Sequence, residues 1–128
     1  MPNNTLTFRI PADCWLTSNR HHENRGWLAS VRRDLHDIAS TTAIAYGLEP
    51  TTGPVRVEWV VCYPKGVRTD KGEASNAQPT TKALLDGLVP RWLPDDGPRW
   101  VLRESFERGP NLSISGEHWV TLTLRGDQ

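Results

Sequence analysis

The chain has 128 residues, 15 basic against 15 acidic, and a hydrophobic share of 37%, which reads as one soluble globular domain with a real core. The balanced charge excludes binding driven by bulk positive charge, so any nucleic-acid contact must come from local clustering. No apolar run is long enough to span a bilayer. Cys14 and Cys62 lack metal-ligand spacing, which leaves two reduced, partly buried thiols.

Asn3 and Asn4 lead into an alternating strand rather than a signal peptide, so a cytoplasmic protein is expected. In that strand Leu6, Phe8 and Ile10 alternate with Thr7 and Arg9 until Pro11 stops it. A polar loop follows from Cys14 to His22, where Arg20, His21 and His22 are candidates for phosphate contacts, although neighbouring surface histidines are more often uncommitted. The spacing of Leu28, Val31, Leu35, Ile38 and Thr42 predicts a long helix over 24–46, closed by Gly47. Arg25, Arg32 and Arg33 lie on its first half, most simply as a solvated face.

Val55, Val57, Trp59, Val61 and Tyr63 share one face of a strand. Val60 and Cys62 make its second half apolar on both faces, which predicts a central place in the sheet. The strand delivers the chain through Pro64, Lys65 and Arg68 into an acidic loop carrying Asp70, Glu73, Ser75 and Asn76. A short helix comes next, with Pro79 in its first turn, Gln78 or Asn76 at or near the cap, and Gly87 with Pro90 at the exit. Leu84, Leu85 and Leu88 form its apolar stripe, while Gln78, Lys82 and Asp86 recur every four residues on another.

Beyond the Asp95-Asp96 turn, strands are predicted from Trp100 to Glu107 and from His118 to Leu124. Between them lie a Gly109-Pro110-Asn111 turn and a short Leu112 to Ser115 segment. The order β, α, β, α, β, β fits an α/β or α+β domain, with a mixed sheet of about four strands and two main helices packed on it. Of the six tryptophans most are expected in packing, with Trp92 and Trp27 the least determined.

Carboxylates on two loops bracketing one helix suggest divalent-metal binding. Mg²⁺ takes hard oxygen ligands, commonly one or two protein carboxylates plus substrate phosphates. A nearby lysine then stabilises charge on a phosphate. Asp95, Asp96, Glu73 and Lys82 make such a set, although each residue alone also reads as a turn or a solvated pair.

The order Glu73, Asn76, Pro79, Thr80, Lys82, Asp86, Gly87, Leu88, Leu93, Asp95 and Asp96 resembles the RusA family of Holliday junction resolvases, closest to actinobacterial and phage forms. The resemblance implies a homodimeric endonuclease that uses Mg²⁺, or Mn²⁺, to nick four-way junctions and related branched DNA in a bacterial or phage-infected cell. It needs no organic cofactor and no membrane. By the same resemblance Glu73, Lys82 and Asp96 are catalytic, with Glu73, Asp95, Asp96 and Asp70 as metal ligands. Asn76 and Asp86 are supporting residues, and Asn19, Arg20, His21, Lys65, Arg68 and Lys71 are DNA contacts. Glu73 stands in place of the family's first aspartate, and Ser75 in place of a second. The alternatives are therefore a branched-DNA-binding homologue with weakened or lost catalysis, and a small structural or interaction protein.

Overall fold

The computed structural model describes residues 4–18, 25–68 and 73–126. Its elements are β1 (Thr5–Pro11), α1 (Arg25–Tyr46), β2 (Val55–Cys62), α2 (Gln78–Asp86), β3 (Val101–Arg108) and β4 (Glu117–Gly126), with 3-10 turns at Ala12–Cys14 and Ala74–Ala77. The strands form one four-stranded sheet in the order β1-β4-β2-β3. This is the mixed α+β domain that the alternation of periods predicts.

β2 pairs with β4 antiparallel and with β3 parallel, so it is interior, as its doubly apolar second half requires. Parallel pairing needs a crossover connection. Residues 63–100 supply it, and both ends of the candidate site lie within it. β1 closes the other side against β4, with Phe8 opposite Val120 and Ile10 opposite His118.

The period-2 pattern decides which face is covered. Leu6, Phe8, Ile10, Val57, Trp59, Val120 and Leu122 are buried among Val31, Leu35, Ala39 and Ala43 of α1 and Leu84 and Leu85 of α2, while Val61 packs with Tyr63 and Ala77 in a second, smaller cluster. The alternating residues form a polar outer face with Thr7 and Thr121 hydroxyls 2.9 Å apart and ion pairs Arg9–Glu117 and Arg125–Glu58. Among the described residues no helix is long and apolar enough to cross a membrane.

Two local readings are corrected. In the second half of α1 the buried stripe runs through Ala39 and Ala43 rather than Ile38 and Thr42. Small residues are needed there because α2 approaches closely: a Cβ on Gly87 would stand 2.8 Å from the His36 Cα and 2.9 Å from the Ala39 Cβ. Neither Asn76 nor Gln78 caps α2 with its side chain; the preceding 3-10 turn runs straight into the helix, and the Gln78 N–H bonds to the Ser75 carbonyl. The short Leu112 to Ser115 segment acts as a clasp, with the Leu112 N–H on the Tyr63 carbonyl at 2.8 Å and the Lys65 N–H on the Ile114 carbonyl at 2.7 Å.

Cys14 and Cys62 are both free, and burial pushes both thiols above their ordinary value. Trp59 and Trp92 are buried, whereas Trp27 is exposed.

Candidate functional site

α2 buries Thr80, Thr81, Ala83, Leu84 and Leu85 and turns Gln78, Lys82 and Asp86 outward. From that outer stripe the Lys82 Nζ donates to the Asp86 Oδ1 at 3.1 Å, one helical turn on, and to the Asp96 Oδ2. Asp96 reaches the lysine because the intervening segment is anchored. Leu88, Trp92 and Leu93 are buried, and the Thr51 N–H bonds to the Trp92 carbonyl at 2.8 Å. At the turn the Asp95 Oδ1 accepts the Asp96 N–H at 2.9 Å, so Asp95 shapes the loop that presents its neighbour.

Two carboxylates thus share one ammonium. The hydrogen bonds from Asp86 and from Lys82 hold the Asp96 carboxyl down at about 2. Burial raises Asp86, and its hydrogen bond with Asp96 raises it further. Hydrogen bonding to Asp96 holds Lys82 in its charged form and raises its pKa. Acidification therefore protonates Asp86 first, while Asp96 stays ionised against the lysine.

The loop upstream of α2 is fixed by different means. Tyr63, buried at the end of β2, donates its hydroxyl to the Glu73 carbonyl at 2.9 Å, and the Asn76 N–H reaches the same carbonyl at 3.1 Å. The Glu73 side chain is exposed. Asn76 accepts twice from Ser18, by its Oδ1 from the hydroxyl at 3.1 Å and by its carbonyl from the N–H at 3.0 Å. Thr80 fastens the residue two before, accepting the Leu16 N–H at 2.8 Å and donating to the Leu16 carbonyl at 2.7 Å.

Beneath these loops lies an aromatic cluster. The Trp15 and His118 rings stack at 3.6 Å and 5°, with Tyr63 edge-on to both. Burial lowers His118 to about 4, and its Nδ1 is buried without a hydrogen-bond partner. The Arg108 guanidinium sits over the other ring of the cluster, 4.6 Å from the Tyr63 centroid.

The structure brings Lys82, Asp86 and Asp96 together with Asp95 adjoining, and it places Glu73 and Asn76 at the entry to the same helix. Lys65 and Arg68 are exposed on the loop leaving β2. Asn19, Arg20, His21, Asp70 and Lys71 lie outside the described residues. Among the described residues no group of three or more His, Cys, Asp or Glu side chains is placed to hold a metal ion. The pair Asp86 and Asp96 nevertheless suits Mg²⁺ or Mn²⁺ chemically. Hard carboxylate oxygens are present, and such an ion needs only one or two from the protein when phosphate and water complete its shell.

The motif order included Thr80 without a structural role, and Tyr63, His118 and Arg108 were missed as builders of this region. A buried threonine has no periodic signature, and the partners of Tyr63 and Arg108 follow only from the sheet order. Scanned against known protein families the chain matches none, and no curated protein matches it.

Proposed function

We propose that this chain is a metal-dependent endodeoxyribonuclease of the RusA type, acting as a homodimer on four-way junctions or related branched DNA. One observation carries the reading: Lys82 joins Asp86 and Asp96, residues ten apart in sequence, at a single exposed point. By the motif resemblance Lys82 and Asp96 are catalytic positions in phosphodiester hydrolysis and Asp86 is a supporting one. A two-fold enzyme also suits a substrate with two equivalent strands to nick.

Asp96, ionised throughout the physiological range, and Asp86 would hold Mg²⁺ or Mn²⁺, with Glu73 and Asp95 as the further candidates on the described loops. The bound ion would supply Lewis-acid activation of water and charge neutralisation at the phosphate. Lys82 keeps its proton and orients both carboxylates. When a phosphodiester enters, the same ammonium donates to a non-bridging oxygen and stabilises the charge that develops there. The Asp95 cap and the buried Trp92 and Leu93 hold Asp96 still, so little reorganisation is required at the moment of reaction.

The test is cleavage of a synthetic four-way junction, with linear duplex as control, in magnesium and in chelator. Paired nicks that require magnesium and are lost in Asp96→Asn and Lys82→Met, with junction binding retained, are expected. Cleavage by Asp96→Asn at the unmodified rate removes Asp96 from the mechanism. Ser75, in the place of a second family aspartate, favours one further reading: a protein that binds junctions without cutting them. Affinity without nicks in either metal would establish that reading.

A further inference from the structure

A chain with no net charge that brings a phosphodiester against its own carboxylates must concentrate cations beside them, because the acids alone repel the substrate. β2 and β3 run parallel with Val61 opposite Arg108, so both strands release the chain at the same edge of the sheet. The two segments leaving there, 63–68 and 108–116, contain Lys65, Arg68 and Arg108 and no acidic residue. They are knitted into one corner by the Leu112 and Lys65 backbone bonds and by the Asn111 Nδ2, which donates to the Val67 carbonyl.

Within that corner Arg108 is held in a defined pose. Its guanidinium lies 4.6 Å from the Tyr63 ring centroid, and its Nη2 donates to the Asn111 Oδ1 at 2.6 Å. Stacking on an aromatic face and a fixed donor direction orient the planar fork, the geometry that matches phosphate and that lysine lacks. The same Tyr63 carries the Glu73 carbonyl on its hydroxyl. One ring therefore spaces the guanidinium from the start of the acidic segment.

We propose that Arg108, flanked by Lys65 and Arg68, binds a backbone phosphate of the nucleic acid and so sets the strand beside Glu73 at the entry to α2. This rests on the nuclease reading above and adds to it a phosphate-binding residue on β3, outside the motif that suggested the reading.

The experiment is fluorescence anisotropy of a labelled four-way junction in chelator from 50 to 200 mM sodium chloride. It compares the unmodified protein with Arg108→Gln, Arg108→Lys, Asn111→Ala and, on the outer sheet face, Arg125→Gln. Arg108→Gln should weaken binding about tenfold at the lowest salt and make the slope of log affinity against log salt shallower by about 1. Arg108→Lys should keep the slope and lose roughly threefold to fivefold in affinity, since charge remains but the oriented fork does not. Asn111→Ala should resemble Arg108→Lys, and Arg125→Gln should match the unmodified protein.

An unmodified protein that binds the junction while Arg108→Gln binds equally well with the same slope overturns the assignment of Arg108 and leaves the nuclease reading standing. Failure of the unmodified protein to bind any DNA at low salt overturns both. Displacement of the junction by inorganic phosphate, at an ionic strength where chloride has no effect, assigns the corner to the free anion and overturns the polymer. Should Arg108→Gln fail to fold, unmodified affinity in both Arg108→Lys and Asn111→Ala overturns the proposal equally.

Discussion

The Thr80 hydroxyl accepts the Leu16 N–H and donates to the Leu16 carbonyl, so one side chain on α2 satisfies both backbone groups of a residue far away in sequence. Thr80 is fully buried. Thr80→Val keeps the shape and removes the hydroxyl, leaving a buried donor and a buried acceptor unpaired, at about 1–3 kcal/mol for each group. Urea unfolding should show a loss of about 2–4 kcal/mol for Thr80→Val and less than half of that for Thr80→Ser. Equal losses in the two variants would show that packing, not the paired hydrogen bonds, fixes the 14–18 loop.

Gly87 is required by proximity rather than by backbone conformation. Its φ is −69°, open to any residue, yet an added Cβ would meet the His36 Cα at 2.8 Å and its carbonyl oxygen at 3.0 Å. Those atoms belong to helix backbone and yield only if α1 and α2 separate. Gly87→Ala should therefore destabilise by about 2–3 kcal/mol, as overpacking does, despite the better helix propensity of alanine. A stability equal to or above the unmodified protein in thermal melts would mean that the two helices slide apart freely.

How much was legible beforehand follows from which signals are local. Alternation placed β1 and β2, and the doubly apolar Val60 and Cys62 announced that β2 is interior. The four-residue stripe of Gln78, Lys82 and Asp86 correctly gave the outer face of α2. The meeting of Lys82 with Asp96 follows from how 87–95 packs, and no short-range pattern encodes it. The cap of α2 was misread because a 3-10 turn had already supplied the carbonyl that a capping side chain would mimic. Arg108 escaped notice because its significance lies in Tyr63 and Asn111, and only parallel pairing of β2 with β3 sets it over that ring.

His118 makes stability sensitive to mild acid. Its ring faces Trp15 and Tyr63, the Arg108 guanidinium lies over the Tyr63 ring, and burial lowers the imidazole to about 4. In the unfolded chain an imidazole gains its proton below about pH 6.5, whereas the folded ring stays neutral down to about 4. The stability it contributes is complete above pH 6.5 and is lost as pH falls between those values. The loss is of order 2 kcal/mol once partial exposure of the ring is allowed for. Urea melts from pH 4.5 to 7.5 should show this limb in the unmodified protein and a flatter one in His118→Phe, which keeps the stack on Trp15. Parallel acid limbs in the two proteins would place the sensitivity elsewhere.

The triad of Lys82, Asp86 and Asp96 makes a prediction about metal that does not depend on turnover. Asp96 is depressed to about 2, so its ionic contribution is present above the unfolded value near 3.9 and vanishes as pH falls through about 2. Asp86 is shifted the other way, and its burden is relieved on acidification. Lys82→Met leaves the two carboxylates facing each other without their ammonium. It should lower stability at pH 7 by about 1 kcal/mol, a surface-scale effect, and that loss should shrink on acidification, as Asp86, raised by its burial, takes a proton before Asp96 does. A divalent ion bound to the same pair replaces the missing charge and stabilises by mass action. Adding 10 mM magnesium chloride, roughly tenfold over a millimolar dissociation constant, should raise the melting temperature of Lys82→Met by about 3–5 °C. The double variant Lys82→Met with Asp96→Asn should not respond. A melting temperature of Lys82→Met that stays flat with magnesium would show that Asp86 and Asp96 do not hold the ion, and would move the metal ligands to the Glu73 side of the helix.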